Sequence, residues 1–432
     1  MKKNVLLVFA LIVVLATIAA CAPAPTPTAV PPTAAPTQPP APTKAPEPTK
    51  APEPTKAPAA TTAPTVAPTA APVPTTAPTA GPFAGLKCDR TIKVGLVGDY
   101  SGALAVYGTT QRRSFLLGLE YLAGAPATGG SFKLGDCSIQ VIDKDDKSDP
   151  ATTSTVARQL IEVEKVDVLV GSVSSAATAT LQGLARDNKK PLIVAPAAAN
   201  DITGKDFNDY TFRVSRNNYQ DAINLCQYLT TKYKKFVQIA PDYSFGYGAA
   251  ASFRDACTKF GGTFVLDDIF APLDTKEFTP YLDKIIKSGA EAWIATWAGA
   301  GFVPMFKTAR EMGVFDKMAL AASVADNATV PLYVDALGQS SGILYHYTLP
   351  TNPINAWLVK EVTARFKAPP DLFDADGMNA ALMFVAGLKK TGGSTDAAAL
   401  LKAFEGLEFD GPKGKVLIRP EDHVAIQDMY IV

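Results

Sequence analysis

The stretch IKVGLVGDYSGALAVYG, residues 92–108, decides how the rest of the chain is read. Ile92 to Val97 form an almost unbroken apolar run. Gly98, Asp99, Tyr100, Ser101 and Gly102 interrupt it, and Phe115, Leu116, Leu119 and Leu122 then recur at helical spacing. That is a strand, a glycine-bracketed loop and a helix. A strand apolar on both faces belongs in the middle of a parallel sheet, where the loops at the carboxyl ends of the strands form the ligand site. Binding or chemistry is therefore expected between Asp99 and Tyr107, although the same pattern also opens many α/β domains as a purely structural turn.

Working outward, the same rhythm repeats. Apolar strands begin near Ile92, Ser138, Val166 and Leu192 with helical patterns between them, and a second series begins near Phe236, Phe264, Trp293 and Met318. A spacing of about 25–29 residues is that of one βα unit, so two series predict two parallel sheets of right-handed crossovers. Residues 210–214 link the two, and residues 343–347 lead the chain back to the first. Helical patterns follow at 355–366, 377–390 and 395–405, and a last crossing is expected to begin at residue 411.

The ends read differently. Lys2 and Lys3 precede an apolar run from Val5 to Ala20 that stops at Cys21 and is too short for a comfortable membrane span of ~20 residues. The run resembles a bacterial lipobox, which makes Cys21 the lipid-bearing amino terminus of the processed chain; an ordinary secretory signal is the plainer alternative. Twenty of the 35 prolines lie in residues 22–83, which hold no aromatic side chain before Phe83. Such a segment lacks the means to build a core and reads as a tether, reaching on the order of 190 Å if extended as polyproline.

Composition narrows the function classes. With 41 basic and 41 acidic residues the net charge is zero, so neither nucleic acid nor an anionic membrane surface is favoured as a partner. His346 and His423 are far apart and near no cluster with ligand spacing, so no metal site is expected. Beyond Cys21 four cysteines remain, an even number in an exported chain. Cys88 and Cys137 precede neighbouring strands and Cys226 and Cys257 fall in successive helices, which suggests those two bridges; buried free thiols are the other reading.

Residues 98–108 resemble the G-x-x-SG-x-x-x-x-x-G opening of the branched-chain amino-acid-binding proteins of ABC importers. Further phrases resemble that family at 143–150 (DKDDKSDP), 171–175 (GSVSS), 196–200 (PAAAN), 245–248 (FGYG) and 409–412 (FDGP). The resemblance spans about four-fifths of the chain and implies an α/β fold of two lobes, each a doubly wound parallel sheet, joined by a multi-strand hinge: the type I periplasmic binding protein. It divides the chain into a signal peptide (1–21), the tether (22–83), lobe 1 (84–211), lobe 2 (212–345), a return to lobe 1 (346–410) and a final crossing into lobe 2 (411–432).

The implied function is capture of an amino acid or similar small carboxylate and its delivery to an ABC permease, by a monomer held outside the cytoplasm through lipid on Cys21 and working without cofactor. The same fold permits a sensor that does not transport, or a binder of another carboxylate or amide. In the family a serine hydroxyl after the third strand and amides after the fourth hold the ligand carboxylate. This places Ser175, with Ser174 as an equally suitable helix cap, and the loop containing Ala197 and Ala199 at the site. Tyr107, Phe245 and Trp297 are the implied aromatic walls. Two positions depart from the family: its threonine is Ala199 here, and its ammonium-binding glutamate aligns with Ser323. A missing negative charge would have to come from Asp326 or Asp99, either of which reads equally well as a solvated loop acid.

Other classes fit less well. Residues 246–251 match G-x-G-x-x-A with Asp267 about twenty residues on, but five residues separate the first glycine from the strand and deny the close approach a dinucleotide needs. No G-x-S-x-G elbow occurs, and neither histidine stands beside a nucleophile, so hydrolysis has no support.

Overall fold

The computed structural model describes residues 83, 86–327, 329, 331 and 340–431; Cys21 and nearly all of the expected tether lie outside the described residues. The first lobe runs β1 (Ile92–Gly98), α1 (Ala105–Ala123), β2 (Ser131–Leu134), β3 (Cys137–Asp145), α2 (Pro150–Arg158), β4 (Val168–Val170), α3 (Ser175–Asp187), β5 (Leu192–Val194) and β6 (Thr211–Arg213). The sheet order is β2-β3-β1-β4-β5-β6, parallel throughout except for the β2–β3 hairpin. β1 sits inside it, pairing with β3 and β4, as its two apolar faces require. Ile92, Val94 and Leu96 pack with Phe115 and Leu119 of α1, whereas Val97 turns to the other face, with Leu160 and Leu181.

The second lobe runs α4 (Asn218–Lys232), β7 (Lys235–Pro241), α5 (Ser244–Lys259), β8 (Thr263–Phe264), β9 (Ile269–Ala271), α6 (Thr279–Lys287), β10 (Ala292–Ala295), α7 (Phe302–Glu311), β11 (Ala319–Ala322) and β12 (Ser340–Ile343). The chain returns through α8 (Pro353–Phe366), α9 (Leu372–Lys390) and α10 (Ala397–Phe404), then β13 (Glu408–Gly411), β14 (Gly414–Ile418), β15 (Ala425–Ile426) and β16 (Tyr430–Ile431). The second sheet has the order β16-β12-β11-β10-β7-β8, with β9 also on β7 and only β16 antiparallel to its neighbour. One face is covered by Phe278 and by α6 and α7 through Leu282, Phe302 and Phe306, the other by α4 and α5 through Leu225, Leu229 and Phe253.

Two boundaries differ from the expected ones. β6 completes the first sheet by pairing with β5, so lobe 1 extends past residue 211. The final crossing does not begin at 411. β13, β14 and β15 form a small antiparallel sheet whose Val416, Ile418 and Ala425 are buried in the first lobe's core beside Phe212 and Phe404, and only β16 crosses. The reason is burial: those three apolar side chains fill the end of the first lobe. The hinge thus has three strands of chain, at 214–217, 344–352 and 427–429.

Cys88 is bridged to Cys137, tying the segment before β1 to the start of β3, and Cys226 is bridged to Cys257, joining α4 to α5. Among the described residues no helix is long and apolar enough to cross a membrane.

Candidate functional site

The loop after β1 is organised by Asp99. Its buried carboxylate accepts from the amides of Ser101, Gly102 and Leu104 and from the Ser148 hydroxyl (2.7 Å). Both oxygens are thereby taken up within the loop. The expectation that Asp99 supplies charge to a ligand is corrected: four donors already surround it and it does not line the cavity described below. α1 packs against this loop so closely that a Cβ on Gly108 would lie 1.7 Å from the Asp99 carbonyl oxygen. The neighbouring acidic stretch is likewise structural. Asp143 pairs with Arg112, Asp145 holds the Tyr100 amide, Asp146 accepts from Ser172, and Asp149 caps α2.

After β4, Gly171 has φ +132°, and a Cβ there would lie 2.1 Å from the Val97 carbonyl oxygen, so only glycine lets this loop pass over β1. Ser174 caps α3. Ser175 is the first helical residue; its Oγ accepts from the Ala199 amide (3.1 Å), which leaves the hydroxyl proton to donate elsewhere. After β5 the 196–199 loop is held from behind through its carbonyls. Arg216 donates to Pro196 O (2.8 Å), Arg213 to Ala197 O (3.3 Å) and Ala199 O (2.6 Å), and the Asn218 amide to Ala198 O (2.9 Å). Arg213 is fully buried for this purpose, and burial with the like charge of Arg216 pushes its pKa down to about 9.

These loops face those of the second lobe across a cavity of about 20 Å³, room for about one water molecule with the lobes in this position. Tyr107, Ser175 and Ala197 line it from the first lobe and Phe245 and Trp297 from the second, so five of the residues proposed from sequence come together. The other five do not line it. Besides Asp99, Ser174 serves as the cap, Ala199 packs in the apolar cluster around Ile202, and the Ser323 hydroxyl is bonded to Thr296 Oγ1 (3.1 Å). Asp326 accepts from the Thr329 amide (2.8 Å) and from the Tyr107 hydroxyl (3.4 Å).

Arg216, Tyr243 and Phe373 are among the other residues that line the cavity. Arg216 is only 2% exposed. It stands over the Phe373 ring at 5.6 Å, and its Nε lies 3.2 Å from Asp221 Oδ2. Tyr243 belongs to a loop whose aromatic character is visible in sequence, but Arg216 is a single cation in a linker and Phe373 one apolar residue of a helix start. Neither carries a periodic signal.

The lobes are closed on this space. The Gly299 amide of the second lobe donates to the Tyr107 hydroxyl (2.9 Å), Asn200 Nδ2 to Ser252 Oγ (2.7 Å), and the Asn327 amide to Asp371 (3.1 Å). Burial pushes the Tyr107 phenol well above its ordinary pKa, so it remains a neutral hydrogen-bonding group. The glycine pattern at 246–251 lies inside α5, a helix rather than a phosphate-binding loop. Among the described residues no group of three or more His, Cys, Asp or Glu could hold a metal ion.

The family model described as "periplasmic binding protein" matches residues 91–432. The Leu/Ile/Val-binding protein homolog 6 of Brucella melitensis biotype 1 is 28% identical over 352 residues, covering 79% of this chain and 86% of its own. The crystal structure of an ABC-type branched-chain amino acid transporter from Rhodopseudomonas palustris CGA009 is 34% identical with a TM-score of 0.64, covering 79% of this chain and 91% of that one. A solute binding protein of an ABC transporter from Rhodopseudomonas palustris BisB5, solved in complex with 3,4-dihydroxybenzoic acid, is 27% identical with a TM-score of 0.70, covering 79% and 92%.

Proposed function

Since the chain belongs to the periplasmic binding protein family and has its two-lobed type I architecture, we propose that it captures a small carboxylate between its lobes and hands it to an ABC importer. The observation that carries this reading is the cavity itself, walled by Ser175 and Ala197 on one side and Phe245 and Trp297 on the other. A ligand touching both walls gains more from the closed than from the open state, and closure is what a permease can recognise. Ser175 offers a hydroxyl and Ala197 and Ala198 offer amides, donors suited to a carboxylate, while the aromatics exclude water. The similar proteins bracket the chemistry. One is named for branched-chain amino acids and another was solved with a dihydroxybenzoate.

In this reading the protein binds without turnover, as a monomer held at the outer face of the membrane by lipid on Cys21. Two experiments test it. Mass spectrometry of small molecules that co-purify with the protein should find one carboxylate at close to one per chain, and turnover of that molecule would replace binding with catalysis. Cys21→Ser should release the processed chain into the soluble fraction; unchanged retention at the membrane would mean that something other than lipid anchors it.

A further inference from the structure

Resting on that reading, we propose that the ligand is an aromatic carboxylate without an amine, and that Arg216 is the residue that selects it. The argument begins with what surrounds the guanidinium. Arg216 lies in the linker between β6 and α4, lines the cavity and is almost fully buried. Two of its nitrogens are engaged: Nη1 donates to Pro196 O (2.8 Å), and Nε lies 3.2 Å from Asp221 Oδ2 without a hydrogen bond. Among the described residues Nη2 makes no hydrogen bond, so one nitrogen of the planar cation is left to donate. A carboxylate oxygen is the partner that such a charged N–H favours.

The charge balance of the wall points the same way. Among the described residues lining the cavity none is acidic. Asp99 is consumed by its own loop, Asp326 accepts from the Tyr107 hydroxyl, and the uncharged Ser323 hydroxyl is bonded to Thr296. An α-amino acid would therefore bring its ammonium into a water-poor space that holds a cation and no facing anion, and burying an unpaired charge is strongly unfavourable. A carboxylate lacking the amine meets no such penalty.

The remaining surface suits a ring. Tyr107 and Phe373 meet edge to face with centroids 4.8 Å apart, and Tyr243 and Phe245 lie tilted at 5.9 Å. Rings set at angles offer an aromatic ligand both faces and edges, the arrangements that aromatic pairs prefer. Ser175, Ala197 and Ala198 line the same cavity as Arg216, so a hydroxyl, two amides and a guanidinium are gathered around it.

The test is calorimetry on the full chain with benzoate, 4-hydroxybenzoate, benzamide, leucine and phenylalanine. One of the two benzoates should bind wild type at least tenfold more tightly than either amino acid. Arg216→Gln alone would strand Asp221, so it is combined with Asp221→Asn. This pair should weaken benzoate binding by roughly ten- to a hundredfold while changing benzamide little; a purely structural role would weaken both alike. Arg216→Lys keeps the charge without the planar guanidinium and should fall between, which covers the case in which the double variant does not fold. Leucine or phenylalanine binding more tightly than both benzoates overturns the inference and leaves the solute-binding reading intact. Unchanged benzoate affinity in the double variant removes Arg216 from the site. If none of the probes binds and no carboxylate co-purifies, both readings fall.

Discussion

Asp99 and Arg216 show how little a charge in a sequence says about its use. Asp99 stands in the loop where binding is expected, yet its oxygens are occupied by three amides and Ser148. Asp99→Asn replaces an acceptor by a donor facing donors, so it should cost about 1–3 kcal/mol of stability and leave the ranking of amine-bearing and amine-free ligands unchanged. Thermal melts with calorimetry check both halves; an altered ranking would return Asp99 to the site. Tyr107 and Ser175 line the cavity and belong to the phrases at 98–108 and 171–175 that resemble the family, which is how they could be singled out. Arg216 was not, because its importance comes from three segments that meet only in the folded chain. A second buried cation gives a pH prediction. Lys413, between β13 and β14, donates to Leu344 O (3.1 Å), and burial, opposed chiefly by Asp376, pushes its pKa down to about 8 from 10.5. A lysine depressed in the folded state contributes stability that is complete above the unfolded pKa and is lost as pH falls through the folded one. The melting temperature of wild type relative to Lys413→Met should therefore climb between pH 8 and pH 10.5, and a flat difference would show that Lys413 keeps its ordinary affinity for the proton.

At the scale of elements, long periodic segments were readable and short ones were not. The β1 strand and the helices α1 and α8 are each seven residues or longer and carry a clear apolar repeat. β2 is four residues long, pairs with β3 across the turn at Gly135 and Asp136, and left no pattern strong enough to mark it. The late crossing was misplaced for a similar reason: the five-residue β14 reads as a strand, but nothing local says which core takes it. The bridge between α4 and α5 bears on how firmly these two helices hold one face of the second sheet. Cys226 and Cys257 are 31 residues apart in sequence. Closing a loop of this size restricts the unfolded chain, so replacing both by Ser should cost roughly 2–4 kcal/mol, the usual range for a disulfide. Urea denaturation of the double variant against wild type measures it; coincident curves would mean that the bond contributes nothing in the native protein.

Over the whole molecule the decisive quantity is the balance between open and closed lobes. The hinge is three segments of chain without regular structure, and closure is held by a few polar contacts across the cleft together with an apolar cluster in which Leu104, Tyr107 and Phe373 join Phe245 and Trp297. Of the polar contacts, the Gly299 amide on the Tyr107 hydroxyl is the one whose acceptor lines the cavity. In the open state water satisfies that amide, so the bond matters only when the cleft shuts. Tyr107→Phe retains the ring and its edge-to-face contact with Phe373 but leaves the Gly299 amide buried without an acceptor on closing. An unsatisfied buried donor costs about 1–3 kcal/mol, charged to the closed state alone. Ligand affinity should fall by roughly five- to a hundredfold or somewhat more, with little change in the melting temperature of the ligand-free protein if its lobes are open in solution. Small-angle scattering at saturating ligand should still show compaction in the variant, reached at higher ligand concentration. An equal loss of melting temperature with and without ligand would show that Tyr107 supports the fold of one lobe rather than the closing of two.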